Sequence, residues 1–262
     1  MKNEKTHIVF DGKNIVISPN LREIFLFLKG IEQEVETLLS FERKLKKIAK
    51  QVSEIGGVMA TMVKNLPKDF KMKISENPKT LAEKFKFQRP TRCEFVALFA
   101  YLETLRCLHT AYGENTTDDK KLRDASGSSI DDFLKKFCLC PENEWVKSNS
   151  RRSGKIGASH LRKLRNSITH FFSTPPLFVI TSVLNDDHLK VEKDLNFKAH
   201  VFSSDDLYKI IQGAAHLLLK MWNTDCQRSI KENNLDFKQR INCVNDIVKK
   251  NGVISSRREE EN

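Results

Sequence analysis

Leu161-Arg162-Lys163-Leu164-Arg165-Asn166-Ser167-Ile168-Thr169-His170-Phe171-Phe172 is the stretch on which the reading of this chain turns. Leu161, Leu164, Ile168 and Phe171 recur every three or four residues, the period of a helix with one apolar face. Ser159 can cap that helix, and Thr174-Pro175-Pro176 stops it. Its polar positions break the habits of an ordinary amphipathic helix. An Arg-Asn pair is followed by a His at the edge of the apolar face. Asn is a mediocre helix former, so its place there asks for a side-chain job. Arg165 and His170 are five residues apart, about 140° around a regular helix. One helix does not easily aim both at one point; two copies across a symmetric dimer, or a helix end between them, would do so better.

Working outward, the helical period dominates. Thr91-x-x-Glu94 reads as a capping box opening the most apolar helix of the chain, striped by Phe95, Phe99, Leu102, Leu105, Leu108 and Tyr112 and ended by Gly113. The polar stretch 114–129 reads as a loop, and Ile130–Cys140 as a short helix. Ser203-x-x-Asp206 caps a helix through Leu207, Ile210, Leu217 and Met221, and a last helix is expected over about 235–250, ending at Gly252. Upstream, Ser18-Pro19 opens a long helix over roughly 19–54, with Ile24, Leu28, Ile31, Val35, Leu38, Leu45, Ile48 and Val52 on one side. Arg43, Lys44, Lys46, Lys47 and Lys50 lie on its polar face, and Gly56-Gly57 should break or bend it.

The β signals are few. Asp11-Gly12 between the runs Thr6–Phe10 and Asn14–Ile17 predicts a hairpin. Leu177–Leu184 and Leu195–Phe202 around Asn185-Asp186-Asp187 predict a small antiparallel insert of two or three strands. The chain is therefore expected to be mostly α. Residues 1–90 form an unassigned hairpin plus long helix, with a soft boundary in the linker-like Pro67–Pro90. Residues 91–250 form a helical domain, and 251–262 a disordered tail.

With 262 residues, 39% hydrophobic and 30% charged, the chain can build a sizeable core. Its apolar runs fall short of the roughly 20 residues that span a bilayer, and no apolar signal core follows Met1. A cytoplasmic protein with no membrane partner is expected. The six cysteines show no CxxC spacing and behave as small hydrophobes, not as a disulfide framework or a zinc site. No metal and no cofactor are expected. The net charge of +11 favours a polyanion, nucleic acid first. Between Val146 and Asn185 there is no Asp or Glu, whereas Lys147, Arg151, Arg152, Lys155, Arg162, Lys163 and Arg165 are all basic. The first six of these are the expected RNA-binding positions.

The run Arg165-Asn166-Ser167-Ile168-Thr169-His170 resembles the R-x4–6-H signature of HEPN domains, in which a polar residue, often Asn, follows the arginine. Leu164 and the order of helices around the motif are also similar, and the resemblance covers roughly residues 91–225. It implies a small helical bundle that dimerises, here with a β-hairpin insert and a helical N-terminal extension. It further implies a metal-independent endoribonuclease of prokaryotic stress response or phage defence, a toxin or antiviral effector with an antitoxin or defence partner. Arg165 and His170 would then be catalytic at the cleft between protomers, with Asn166 supporting them.

The chemistry is compatible. Cutting RNA without metal requires activation of the 2′-hydroxyl, stabilisation of a dianionic phosphorane and protonation of the 5′-oxygen. An imidazole, ordinarily titrating near pH 6.5, can serve as base or acid. A guanidinium offers a planar fork of donors to phosphate oxygens. Two other classes stay open: a HEPN module that binds RNA or a nucleotide without cutting it, and a scaffold in which the long helix 19–54 pairs with another chain. The chain has no G-x-G-x-x-G, P-loop, H-E-x-x-H or G-x-S-x-G signature. His160 is expected at the surface, and His109 and His216 at the edge of the core.

Overall fold

A computed structural model of the chain describes residues 6–10, 13–64, 89–123, 127–149, 156–172, 174–175, 178–181, 200–232 and 235–259. The hairpin β1 (Thr6–Phe10) and β2 (Lys13–Ile17) leads into α1 (Arg22–Lys64), then the central α2 (Arg89–Glu114). There follow α3 (Asp119–Arg123), α4 (Gly127–Phe133), a π-helical turn (Leu134–Cys138), α5 (Glu144–Ser148) and α6 (Ala158–Phe171). β3 (Phe178–Thr181), β4 (His200–Ser203), α7 (Ser204–Glu232) and α8 (Leu235–Glu259) complete the order. The described residues are mostly helical, as expected.

α2 is the axis of the bundle. Phe95, Leu98, Phe99, Leu105 and Leu108 are completely buried, and α1, α6, α7 and α8 all pack on it. Removing that much aliphatic and aromatic surface from water is the main favourable term of the fold. The first half of α1 joins the same core through Ile24, Phe25, Leu28, Val35 and Leu39, in one cluster with Ile211 and Leu218 of α7. The boundary expected near residue 90 therefore does not divide two packing units, and residues 17–39 are no appendage.

Several expectations are corrected. α1 does not break at Gly56-Gly57 but runs to Lys64. Two interior glycines cost about 1 kcal/mol each, which a long helix already seated on a core absorbs. The linker positions 65–88 lie outside the described residues. Thr91-x-x-Glu94 is not a capping box, because α2 begins at Arg89 and Glu94 is fully buried, accepting a 2.7 Å bond from the Ser204 hydroxyl. α8 continues through Gly252 to Glu259, into the stretch expected as a tail. β1 and β2 pair antiparallel, as expected of a hairpin, with Thr6 opposite Ile17. β3 and β4, by contrast, pair in parallel, Phe178 opposite His200. They are not a hairpin. The intervening residues 182–199, which include the expected turn, lie outside the described residues and are long enough for the crossover a parallel pair requires.

Residues 114–129, read as loop, contain the single-turn helix α3, and the stretch after Cys140 contains α5. α5 depends on Asn143, whose Oδ1 accepts from the Trp145 N–H at 3.1 Å while its amide donates to the Phe137 and Ile210 carbonyls, both at 3.0 Å. Gly213 on α7 makes room for this side chain: a Cβ there would stand 2.5 Å from both Asn143 amide atoms. Held by three hydrogen bonds, Asn143 cannot step aside. Gly213→Ala should therefore destabilise the fold by about 1–3 kcal/mol in urea unfolding, despite the better helix propensity of alanine; an unchanged midpoint would show that the cap is not rigid.

His109 of α2 packs against Phe133 and Phe137, ring centres 5.9 and 4.7 Å away. Burial, and secondarily the charge of Lys136, lowers its pKa to about 4 from 6.5. The unfolded chain thus binds the extra proton between these values, and stability falls as pH drops from about 6.5 toward 4. The loss should reach about 3 kcal/mol. His109→Phe should flatten that part of the stability–pH curve measured by urea titration; an unaltered slope would assign acid sensitivity elsewhere.

Candidate nucleic-acid interface

α6 opens earlier than a cap at Ser159 would place it. Gly157 is the N-cap residue, and the His160 ring, expected at the surface, turns back so that Nδ1 accepts the Gly157 N–H at 3.3 Å. His160 is half-buried with its ring edge-on to Phe178. Ala158, Leu161, Leu164 and Ile168 form the buried stripe. At the other end Phe172 closes the helix in the left-handed region, φ 48° and ψ 37°, its N–H bonded to the Ile168 carbonyl at 3.0 Å.

Arg165 is the anchored member of the motif. Its Nη2 pairs with Glu103 Oε1 at 2.9 Å, and its Nη1 donates to Asn166 Oδ1 at 2.9 Å. Glu103 uses its other oxygen on Arg106 Nε at 2.8 Å, and Arg106 also donates from Nη2 to the Leu122 carbonyl at 2.9 Å. One carboxylate therefore bridges two guanidinium groups, leaving the trio with a net single positive charge. The three side chains are between 6% and 23% exposed, so water screens the pairing only in part. Two of the five N–H donors of Arg165 are engaged; Nε is buried without a hydrogen-bond partner among the described residues.

His170 is exposed, and its ring lies beside that of Phe171, centres 6.4 Å apart. It makes no hydrogen bond among the described residues. Asn166 and His170, four residues apart, share a face of α6, whereas Arg165 lies round the helix from His170. The structure thus joins Arg165 to Asn166 directly, and His170 to neither.

The expected RNA-binding positions divide. Lys163 is exposed on α6 and carries no ion pair among the described residues. Arg162 is paired with Asp131 at 2.9 Å, which ties α6 to α4. Lys147 is exposed on α5 and lines a cavity of about 350 Å³ beside Leu21, Phe25, His216 and Lys220, a cavity no residue of α6 reaches. Arg151, Arg152 and Lys155 lie outside the described residues. Sequence reading missed Glu103. The signal was present, since Glu103 is the sole acid between Phe95 and Gly113, and an acid inside so apolar a helix asks for a polar partner from another element. Among the described residues no group of three or more His, Cys, Asp or Glu side chains comes together to hold a metal ion, and no helix is long and apolar enough to cross a membrane. Comparisons with protein-family models, with curated proteins and with solved structures found no match for this chain.

The Glu103–Arg165 pair should be measurable as a coupling. A double-mutant cycle of Glu103→Gln and Arg165→Gln, followed by urea unfolding, is expected to give an interaction of about 1–2 kcal/mol. A value under about 0.3 kcal/mol would mean that the α2–α6 contact does not depend on this charge pair.

Proposed function

We propose that this chain is a metal-independent endoribonuclease of the HEPN type, acting as a homodimer in prokaryotic stress response or phage defence. The observation that carries the reading is the arrangement along α6: a guanidinium locked in place by Glu103 and Asn166 at mid-helix, with an exposed imidazole near the helix end. A fixed guanidinium with spare donors suits a phosphate whose charge grows during reaction. A solvent-accessible imidazole suits proton transfer near neutral pH.

In this reading the 2′-oxygen of one ribose attacks the adjoining phosphorus, forming a new P–O bond while the P–O5′ bond breaks. A neutral His170 takes the proton from the 2′-hydroxyl. An imidazolium, His170 of the partner subunit, gives a proton to the departing 5′-oxygen. Arg165 faces the phosphorane oxygens, and Asn166 holds Arg165 in position. The products are a 2′,3′-cyclic phosphate and a 5′-hydroxyl. Lys163 and the acid-free segment draw in the RNA backbone. An antitoxin or other defence partner would restrain the activity in the cell.

A second reading has its own support. Glu103 cancels part of the charge of Arg165, which fits a module that binds RNA without cutting it. The two separate in one experiment, in which wild type and His170→Ala are incubated with a labelled structured RNA pool in EDTA. Cleavage by wild type to cyclic-phosphate ends is expected, with His170→Ala slower by at least about 100-fold. RNA left intact by wild type but retained in a gel shift would select the binding module instead.

A further inference from the structure

Phe171 is the most exposed large apolar side chain among the described residues, at 77%. It is the last helical residue of α6 and directly follows His170. The next residue holds the chain in a conformation that few bulky side chains adopt, Phe172 at φ 48°. Such a cap is ordinarily glycine. Here Phe172 turns toward the start of α2, where the Arg92 guanidinium lies over its ring at 5.8 Å. The backbone thus splits two adjacent aromatic rings: one is held by a cation of the bundle, and the other stands in solvent next to the imidazole. An aromatic ring standing in water at the end of α6, beside an exposed imidazole, points to a use for that ring.

We infer that Phe171 is a stacking platform for an RNA base, seating the nucleotide whose phosphate meets Arg165 and His170; this rests on the ribonuclease reading above. The 6.4 Å between the Phe171 and His170 ring centres resembles the span of the ribose that separates a base from its phosphate. The charge carried by these two helices favours RNA over an apolar partner surface: Lys163 lies exposed on α6, eight residues before Phe171, and Arg92 on α2, against which α6 packs. Stacking on an aromatic face accepts every base, so Phe171 fixes position and strand accessibility, not sequence. It selects single-stranded RNA, whose bases are free to stack. Phe171 is a positioning residue in this scheme and takes no part in proton transfer.

The test uses two fluorescein-labelled oligomers of equal length and phosphate number, one 2′-O-methyl RNA, which lacks the attacking hydroxyl and cannot be cut, and one abasic. Binding is followed by anisotropy. Phe171→Ala should bind the base-bearing oligomer about tenfold more weakly and the abasic oligomer as wild type does. Phe171→Trp should restore binding, with its added indole emission quenched on the base-bearing probe alone. Equal affinity of Phe171→Ala and wild type for the base-bearing probe overturns the platform while leaving the ribonuclease reading intact. Loss on both probes together with a shift from dimer to monomer in sedimentation also overturns it and assigns the ring to a contact between copies. Wild type that neither binds either probe nor cleaves RNA removes the ribonuclease reading itself. Because the ring is exposed, circular dichroism and thermal melting of all variants should match wild type.

Discussion

A helix with most of its side chains buried or half-buried must find partners for nearly all of its polar groups, and that constraint on α2 organises the molecule. An unpaired charge or hydrogen-bonding group there would cost several kcal/mol. Each of five polar side chains of α2 meets a different neighbour. Glu94 accepts from Ser204 at the start of α7. Tyr101 donates to Glu32 of α1 at 3.1 Å. Glu103 takes Arg165 of α6, and Arg106 reaches the Leu122 carbonyl of α3. Tyr112 donates to Asp225, near the far end of α7, at 2.8 Å. The apolar residues drive the helices together without fixing their rotation or slide, since hydrophobic burial is non-directional. These five contacts supply the direction. A slip of α7 by one turn would break both Glu94–Ser204 and Tyr112–Asp225.

The candidate site is one consequence of that arrangement. Glu103 performs the same duty as Glu94 and Tyr101, but its partner belongs to the motif. One of the interactions that join α6 to the bundle is thus also the one that holds Arg165 still. Stability and preorganisation are therefore not separable at this residue. Glu32 shows the cost of such a placement: burial pushes its carboxyl pKa up even with Lys29 and Tyr101 beside it. Glu103 is held by two guanidinium groups and is 23% exposed.

How much of this was legible in the sequence follows from the range of the interactions. Periodicity reports burial along one element, so α1, α2, α6 and α7 could be read, and Asp-Gly reports a local turn, so the β1–β2 hairpin could be read. α5 was invisible because five residues are too few to show a period, and its cap Asn143 works through carbonyls from Phe137 and Ile210. The parallel pairing of β3 with β4 was invisible because strand direction depends on a distant chain path. The supposed capping box at Thr91 failed for a related reason. Glu94 has the right spacing for a local bond, but a buried hydroxyl 110 residues away competes for it and wins. Around the motif, residue types could be read while their pairings could not. Nothing along the chain links Arg165 to Glu103 or Arg162 to Asp131.

Asn166 gains a physical role from this geometry. A regular helix separates Arg165 from His170 by about 140°, too far for both to face one phosphate by backbone placement alone. Asn166 lies between them on the helix surface, four residues before His170. Its Oδ1 accepts from Arg165 Nη1 at 2.9 Å, while Glu103 holds the other side of the fork. Aspartate at 166 would also accept that bond, but its charge would cancel what remains of the positive field after Glu103. Alanine would leave Arg165 to Glu103 alone. An amide accepts without adding charge and keeps its own N–H donors. That combination explains a mediocre helix former in the middle of α6, and it makes the Arg-Asn pair, more than the Arg-to-His spacing, the part of the motif that this single chain assembles by itself.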